Sequence, residues 1–533
     1  MALHGKNRIG FELLAASEEF VHSYDPKAGK ALDKFYLATE DEVALALDKA
    51  AQAFDSYRYY SGKRKAEFLE AIADEILALG DELIETAMKE SGLPEGRIIG
   101  ERGRTMGQLR LFAQLVSEGS WVDATIETAQ PDRQPLPKPD IRKMLCPVGP
   151  VVVFAASNFP LAFSTAGGDT ASALAAGNPV IVKAHMSHLG TNELIAGAIS
   201  QAAEKTGMPD GVFSSLNGRG SSLGQALVKH PVVKSVGFTG SFNGGMALYR
   251  AAAQREEPIP VFAEMGSVNP VVLLPGKLKK VAEEVAKQYA GSITLGVGQF
   301  CTNPGLILGI AGDEMDTFIR VLGKEIQAIA PATMLNEAIH KSYQEGKKKM
   351  LEQKGVQLAG AAKDEEGNFL GVPTVARVSG ADFLSNPGLH EEVFGPFSLV
   401  VTCSGKEELR EVILSVKGQL TSTIMAEENE LSDYQEIVYA AANIAGRVIF
   451  NGVPTGVEVC HAMQHGGPFP ASTDGRFTSV GTDAIRRFAR PLAYQGFPED
   501  ALPDELKSNN PLGIWRKVNG ELTREAVAGE VYI

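Results

Sequence analysis

The chain has 533 residues, of which 44% are hydrophobic and 22% charged, with a formal net charge of −14. That length supplies two to four domains and an ample core. The composition is that of an ordinary globular protein and excludes a disordered or fibrous chain. The acidic balance argues against a nucleic-acid or anionic-membrane partner, since both select a basic face.

The four cysteines, Cys146, Cys301, Cys403 and Cys460, lie far apart with no C-x-x-C spacing. They indicate neither a disulfide framework nor a zinc motif, and they fit a reducing compartment. The N-terminal segment lacks the apolar core of a signal peptide, and no run reaches about 18 apolar residues. A cytoplasmic protein without a membrane span is expected.

Residues 40–60 and 63–91 have apolar residues at three- and four-residue steps with acids opposite, the pattern of amphipathic helices. A third helix follows Gly92–Pro94–Gly96 and carries Arg102, Arg104 and Arg110 with little acid nearby. Residues 129–142, rich in proline and charge, read as an extended connector or edge hairpin. From about 147 short buried-strand runs alternate with helices: 147–161, 178–185, 211–218, 232–241 and 259–274. This alternation predicts βαβ units around a parallel sheet covered on both faces. A second α/β region starts near 271, with helices at 277–290, 313–330 and 333–354 and a β-α-β pattern over 397–451. The tail from about 488 reads as strand-like and suited to pairing with another subunit's sheet.

Ligands of parallel sheets bind beyond the carboxyl ends of the strands, where Asn158, Lys183, Thr239–Ser241 and Glu264 fall. Glu264 ends an apolar run, an expensive place for a carboxylate without a partner or a task. The amide of Asn158 is a candidate oxyanion donor. Cys301 lies in GSITLGVGQFCTNPG, an uncharged stretch whose glycines permit a tight turn that presents a thiol. Together these three fit attack on a carbonyl followed by base-assisted hydrolysis. No G-x-G-x-x-G follows a strand. FTGSFNGG (238–245), a strand end opening into a helix, is the better candidate to hold a pyrophosphate on backbone N–H groups. Cys460–His461 and His185/His188 are read as loop residues, and no metal site is expected.

Six motifs then occur in order: SNFP at 157–160, VIVKAH at 180–185, GFTGS at 237–241, EMG at 264–266, GQFC at 298–301 and EEVFGP at 391–396. In them the chain resembles the aldehyde dehydrogenase superfamily over nearly its whole length. The resemblance implies an α/β fold with a Rossmann-type cofactor domain (1–128 and 150–270), an α/β catalytic domain (271–455) and a small β oligomerisation arm with tail (129–149 and 488–533). It implies Cys301 as nucleophile, Glu264 as base and Asn158 as oxyanion donor. It also places Lys183, Gly240, Ser241, Gly245, Glu392 and Phe394 around a nicotinamide dinucleotide, in a homodimer or homotetramer.

Two departures narrow the expectation. Where many NAD-preferring relatives carry a glutamate three residues after the lysine, this chain has Met186. Loss of the acid, with Lys183, Ser187 and Arg219 as donors, favours NADP, with NAD also possible. The ending, QHGGPFPASTDGRFTSVGTDAIRRFARPLAYQ, resembles a subgroup of α-ketoglutarate semialdehyde (2,5-dioxovalerate) dehydrogenases that also holds a fatty aldehyde dehydrogenase. Arg104 suits a carboxylate-ended substrate, with Phe159, Phe163 and Phe469 as tunnel walls. Aliphatic aldehydes are the alternative substrate; a CoA-acylating enzyme and a silent scaffold are the readings that Glu264 and the intact trio disfavour.

Overall fold

In the computed structural model, residues 3–527 are described. Two seven-stranded sheets organise them. The first has five parallel strands in the order Val261–Glu264, Ser235–Thr239, Val151–Phe154, Val180–Lys183 and Phe213–Leu216. An antiparallel N-terminal pair, Asn7–Ile9 and Glu12–Leu14, extends one edge. The central strands are buried on both faces by helices, which explains their unbroken Val/Ile/Phe runs. The second sheet runs Gln357–Ala361, Thr374–Ser379, Phe397–Cys403, Leu306–Ile310, Val271–Leu273, Gln419–Met425 and Ala445–Phe450, parallel except at its first pair.

The predicted helices are present, with one difference: 63–91 is two helices, Gly62–Ala78 and Gly80–Ser91. Gly80 sits at φ 55°, a left-handed value that breaks the helix without moving its apolar stripe far. The charged helix forms over Glu95–Glu118. The proline-rich connector is a turn closed by a Gln130–Lys138 bridge. Its following strand, Ile141–Pro147, is not at an edge: it pairs on one side with Thr125–Glu127 and on the other with Ala489–Gln495 of the tail. Arg516–Val518 and Glu521–Thr523 complete this five-stranded sheet. The closing GEVYI segment of the tail lies outside the described residues. The hairpin Phe20–Asp25/Lys30–Tyr36 escaped the sequence reading because charged residues interrupt its apolar alternation.

A buried ion pair locks the start of the tail to the first sheet. Arg487 Nη2 lies 2.8 Å from Asp169 Oδ1, with both side chains almost fully enclosed. Removing one member leaves the other charged in a low-dielectric site. Asp169→Ala is expected to cost about 3–5 kcal/mol of unfolding free energy. Asp169→Leu combined with Arg487→Met should recover most of it, as read by denaturant midpoints of the three proteins.

Candidate active site

The two sheets meet at the segment 264–271, and the loop carrying Cys301 packs against this joint. After the helix Pro275–Thr294, residues Gly296, Val297 and Gly298 take φ values of 55°, 59° and 64° in succession. Val297 is β-branched, and a left-handed conformation there is strained. Buried amides hold the strained turn. Asn269 Nδ2 donates to the carbonyls of Cys301 (2.9 Å) and Asn303 (2.9 Å). Asn303 Nδ2 donates to Gly395 O at 3.1 Å. The Gln299 side chain accepts from Leu335 N at 3.0 Å.

This arrangement brings the three predicted chemical residues together. Asn158 Nδ2 donates to Gln299 O at 3.1 Å, two residues from the thiol. Glu264 Oε2 accepts from Ser479 Oγ at 2.5 Å. Its Oε1 lies 3.1 Å from His465 Nε2, and the same Nε2 is 3.4 Å from Cys301 Sγ. Burial alone would raise the Glu264 carboxyl, but His465, Ser479 and Cys301 outweigh burial and hold it below the ordinary value. Burial, reinforced by the neighbouring Glu264 carboxylate, pushes the Cys301 thiol well up. At rest the pair is therefore a carboxylate beside a protonated thiol.

Three further groups escaped the sequence reading: His465, Ser479 and Arg97. His465 lies within the quoted QHGG stretch, yet only folding brings it to the thiol, 164 residues away in sequence. Arg97 forms an ion pair with buried Glu101 (3.1 Å) and stacks over Phe159 (4.3 Å) and Phe300 (5.2 Å). Glu101 in turn accepts from Leu161 N and Ala162 N at 2.9 Å each, fixing the chain just past Asn158.

Arg104 points inward. Its guanidinium lies 5.6 Å from the Phe159 ring and 5.1 Å from the Phe163 ring. Its Nε and Nη2 are buried without hydrogen-bond partners. Burial pulls its pKa below the usual arginine value, with Cys301 and Glu101 opposing. Phe159, Phe163, Phe300 and Val480 form one apolar cluster, with Val457, Val459 and Met463 packed on it. A cleft of about 440 Å³ opens between the Arg104 helix and Val457–Val459. Phe469 is not part of this wall, contrary to expectation. It is 56% exposed and rests on Phe242 at the start of helix Phe242–Ala253, because the following residues are pinned to the end of strand Val261–Glu264 by Met265 N donating to Ala471 O.

The remaining predicted residues line the carboxyl edge of the first sheet. Lys183 ends its strand in register with Phe154 and Leu216, and burial alone lowers it to about 8. Ser241 caps the helix Phe242–Ala253 by accepting from Gly244 N at 3.3 Å, and Gly240 and Ser241 are exposed. A Cβ on Gly240 would meet the Phe238 ring at 2.7 Å, and one on Gly245 would meet Met265 at 2.8 Å. Arg219 is exposed at the start of the turn Gly220–Gly224. Ser187 accepts from Asn336 Nδ2 at 2.8 Å, which ties the two sheets' outer loops together. The Glu392 carboxyl lies against Gly266, where a Cβ would approach Oε2 to 2.3 Å; Phe394 is half-buried nearby.

The aldehyde dehydrogenase family pattern matches residues 14–490. This chain belongs to the aldehyde dehydrogenase family. It is 49% identical over 523 residues to α-ketoglutaric semialdehyde dehydrogenase 2 of Azospirillum brasilense, covering 98% of this chain and 100% of that one. It is 48% identical over 527 residues to α-ketoglutaric semialdehyde dehydrogenase of Acinetobacter baylyi, covering 98% and 99%. Among solved structures, betaine aldehyde dehydrogenase of Staphylococcus aureus superposes with a TM-score of 0.80 at 19% identity, covering 93% and 98% of the two chains, and shows the shared fold. Aldehyde dehydrogenases use NAD or NADP. The buried, carboxylate-free Lys183, the exposed capped helix start and the glycines that leave no room for a Cβ suit such a dinucleotide. Among the described residues of this aldehyde dehydrogenase, no helix is long and apolar enough to cross a membrane.

The Cys301 turn has no slack. A Cβ on Gly298 would lie 2.3 Å from the Gly395 carbonyl carbon and oxygen, and φ 64° already disfavours an L side chain. Gly298→Ala must therefore shift the loop that carries Cys301. Steady-state kinetics should show kcat lowered by about 100-fold, the scale of a 1 Å misplacement. Cofactor affinity, measured by fluorescence quenching, should change far less.

Proposed function

We propose that this aldehyde dehydrogenase oxidises α-ketoglutarate semialdehyde to 2-oxoglutarate, with NADP preferred and NAD also used. The observation that carries the substrate is Arg104: a buried guanidinium with unpartnered Nε and Nη2 on the apolar wall beside Cys301. A substrate ending in a 2-oxo-carboxylate supplies the planar, bidentate partner that this fork lacks. Two relatives at 48–49% identity carry the same substrate in their names, which supports the assignment. A neutral aliphatic aldehyde would leave the guanidinium buried and unpaired.

In this reading Cys301 gives up its proton toward Glu264, directly or by way of His465 Nε2, and attacks the aldehyde carbon. The Asn158 amide and the Cys301 backbone N–H stabilise the oxyanion of the thiohemiacetal. The bound dinucleotide supplies the hydride acceptor. Glu264, oriented by Ser479, passes the thiol's proton to solvent and then takes a proton from water, whose oxygen bonds to the thioester carbon while the C–S bond breaks, freeing the acid and the Cys301 thiolate. Lys183 and Ser187 hold the adenosine ribose, with Arg219 beside its 2′-phosphate. Gly240, Ser241 and Gly245 bear the pyrophosphate, and Glu392 with Phe394 positions the nicotinamide ribose. The first sheet unit is thus the cofactor domain and the second the catalytic domain. The sheet built by 125–147 and the tail, with edge strands Ala489–Gln495 and Glu521–Thr523, is the arm of a homo-oligomer.

Arg104→Ala should lower kcat/KM for α-ketoglutarate semialdehyde at least 10-fold, about 1.4 kcal/mol, while sparing a neutral aldehyde of equal length. Equal effects on both would return the lead to aliphatic aldehydes.

Lys183 is charged below its value of about 8 and neutral above it. Cofactor binding should therefore be flat below pH 8 and weaken as pH rises beyond it. Titration of NADP and NAD from pH 6 to 10 checks this, and Lys183→Met should flatten the curve. Arg219→Ala should weaken NADP about 10-fold with little change for NAD, since it removes one charged contact to the phosphate.

A further inference from the structure

The grouping of Cys301, Glu264 and His465 does more than place a base beside a thiol. Sγ, a carboxylate oxygen and an imidazole nitrogen all lie within 4.8 Å of one another. A tetrahedral zinc ion with bonds of about 2.3 Å to sulfur and about 2.0–2.1 Å to nitrogen and oxygen separates its ligand atoms by about 3.3–3.6 Å. The contacts already present are 3.4 Å from Sγ to Nε2 and 3.1 Å from Nε2 to Oε1. Two of the three ligand-to-ligand distances are therefore already close to what the ion needs, and the third lies within 4.8 Å.

The donors are also held. One carboxylate oxygen of Glu264 is oriented by Ser479 Oγ, while Oε1 is buried and lies 3.1 Å from His465 Nε2. Such outer contacts set the aim of metal-binding carboxylates. His465 is tied by its backbone N–H to Thr478 Oγ1 at 2.8 Å. We propose that Cys301 Sγ, His465 Nε2 and Glu264 Oε1 form a reversible inhibitory site for Zn²⁺ or a similar borderline-soft divalent cation.

On binding, the thiol proton is released to solvent and a metal–sulfur bond forms. The sulfur lone pair that would attack the aldehyde is then occupied, and no thiohemiacetal can form. The thiolate and carboxylate together neutralise the ion, so Arg104 and Arg447, whose charges act on Cys301, face a site without net charge. A mixed S/N/O set selects zinc, cobalt or cadmium over Mg²⁺ and Ca²⁺, which prefer all-oxygen shells. Three protein donors leave the fourth tetrahedral position for water. Metal binding follows from geometry alone; inhibition rests on the proposed role of Cys301 as nucleophile.

The experiment uses the whole enzyme in metal-free buffer, titrated with Zn²⁺ for activity and with Co²⁺ for absorption. The expected result is inhibition with one ion per chain, full recovery on adding EDTA, no effect of Mg²⁺ at the same concentration, and a thiolate-to-cobalt band with intense tetrahedral visible bands. Cys301→Ser should lose the thiolate band. His465→Gln and Glu264→Gln, each of which keeps the thiol, should bind Co²⁺ at least 10-fold more weakly, whatever their residual turnover. Unchanged affinity in both of these variants, or a thiolate band that survives Cys301→Ser, would overturn the site. A cobalt–thiolate complex that forms normally while turnover continues would instead sink the nucleophile reading and leave the metal site standing.

Discussion

Asn269 is fully buried at the joint between the two sheets, and the active site depends on what its side chain holds. Its Nδ2 binds the carbonyls of Cys301 and Asn303, and its Oδ1 accepts from Ser267 Oγ and Thr421 Oγ1 at 2.9 and 3.0 Å. Gln419, on a strand of the second sheet, receives Val268 N and Asn269 N on the same oxygen that accepts from Ser267 Oγ. The segment joining the two sheets, strand Gln419–Met425 and the loop that carries Cys301 are thereby one hydrogen-bonded unit. A left-handed valine at 297 persists only because this network and the backbone of Gly395 overdetermine it. The strain is local; the restraint is distributed over three chain segments.

Electrostatics follow from the same enclosure. A thiol buried beside a carboxylate keeps its proton, and the carboxylate keeps its charge because a histidine and a serine face it. In the proposed mechanism the chemistry then starts from a neutral sulfur with a base in place, rather than from a standing thiolate. The mouth of the site balances a different account. Aromatic rings at 159, 163 and 300 form the wall, and Arg97 and Arg104 lie over them. Arg97 is committed to Glu101 and so to the backbone past Asn158, whereas Arg104 keeps two buried N–H groups without partners. The difference between a structural and a recognition arginine here is one carboxylate, supplied by the chain in one case and, in the proposed function, by the substrate in the other.

Much of this was legible in order along the chain. Alternating buried-strand runs and amphipathic helices announced parallel sheets, because side-chain periodicity is a local property of the backbone. The polar residues at strand ends stood out for the same reason, and Cys301, Glu264 and Asn158 could be picked from their apolar surroundings. The N-terminal hairpin, the split at Gly80 and the inner position of strand Ile141–Pro147 were less visible, since charges, a single φ and a distant tail strand decided them.

Sequence alone therefore determined the class of chemistry and the fold, through local patterns and six ordered motifs. Only tertiary structure decided which charged groups reach the thiol. His465 is 164 residues from Cys301 and Ser479 is 215 from Glu264, so no spacing rule connects them. Phe469, expected from the resemblance as a tunnel wall, is exposed against Phe242, whereas Arg104, expected near a carboxylate-ended substrate, points inward over Phe159 and Phe163. Both outcomes come from how helices and loops are rotated against the sheets, and that rotation is set by packing the whole core rather than by any one stretch of chain.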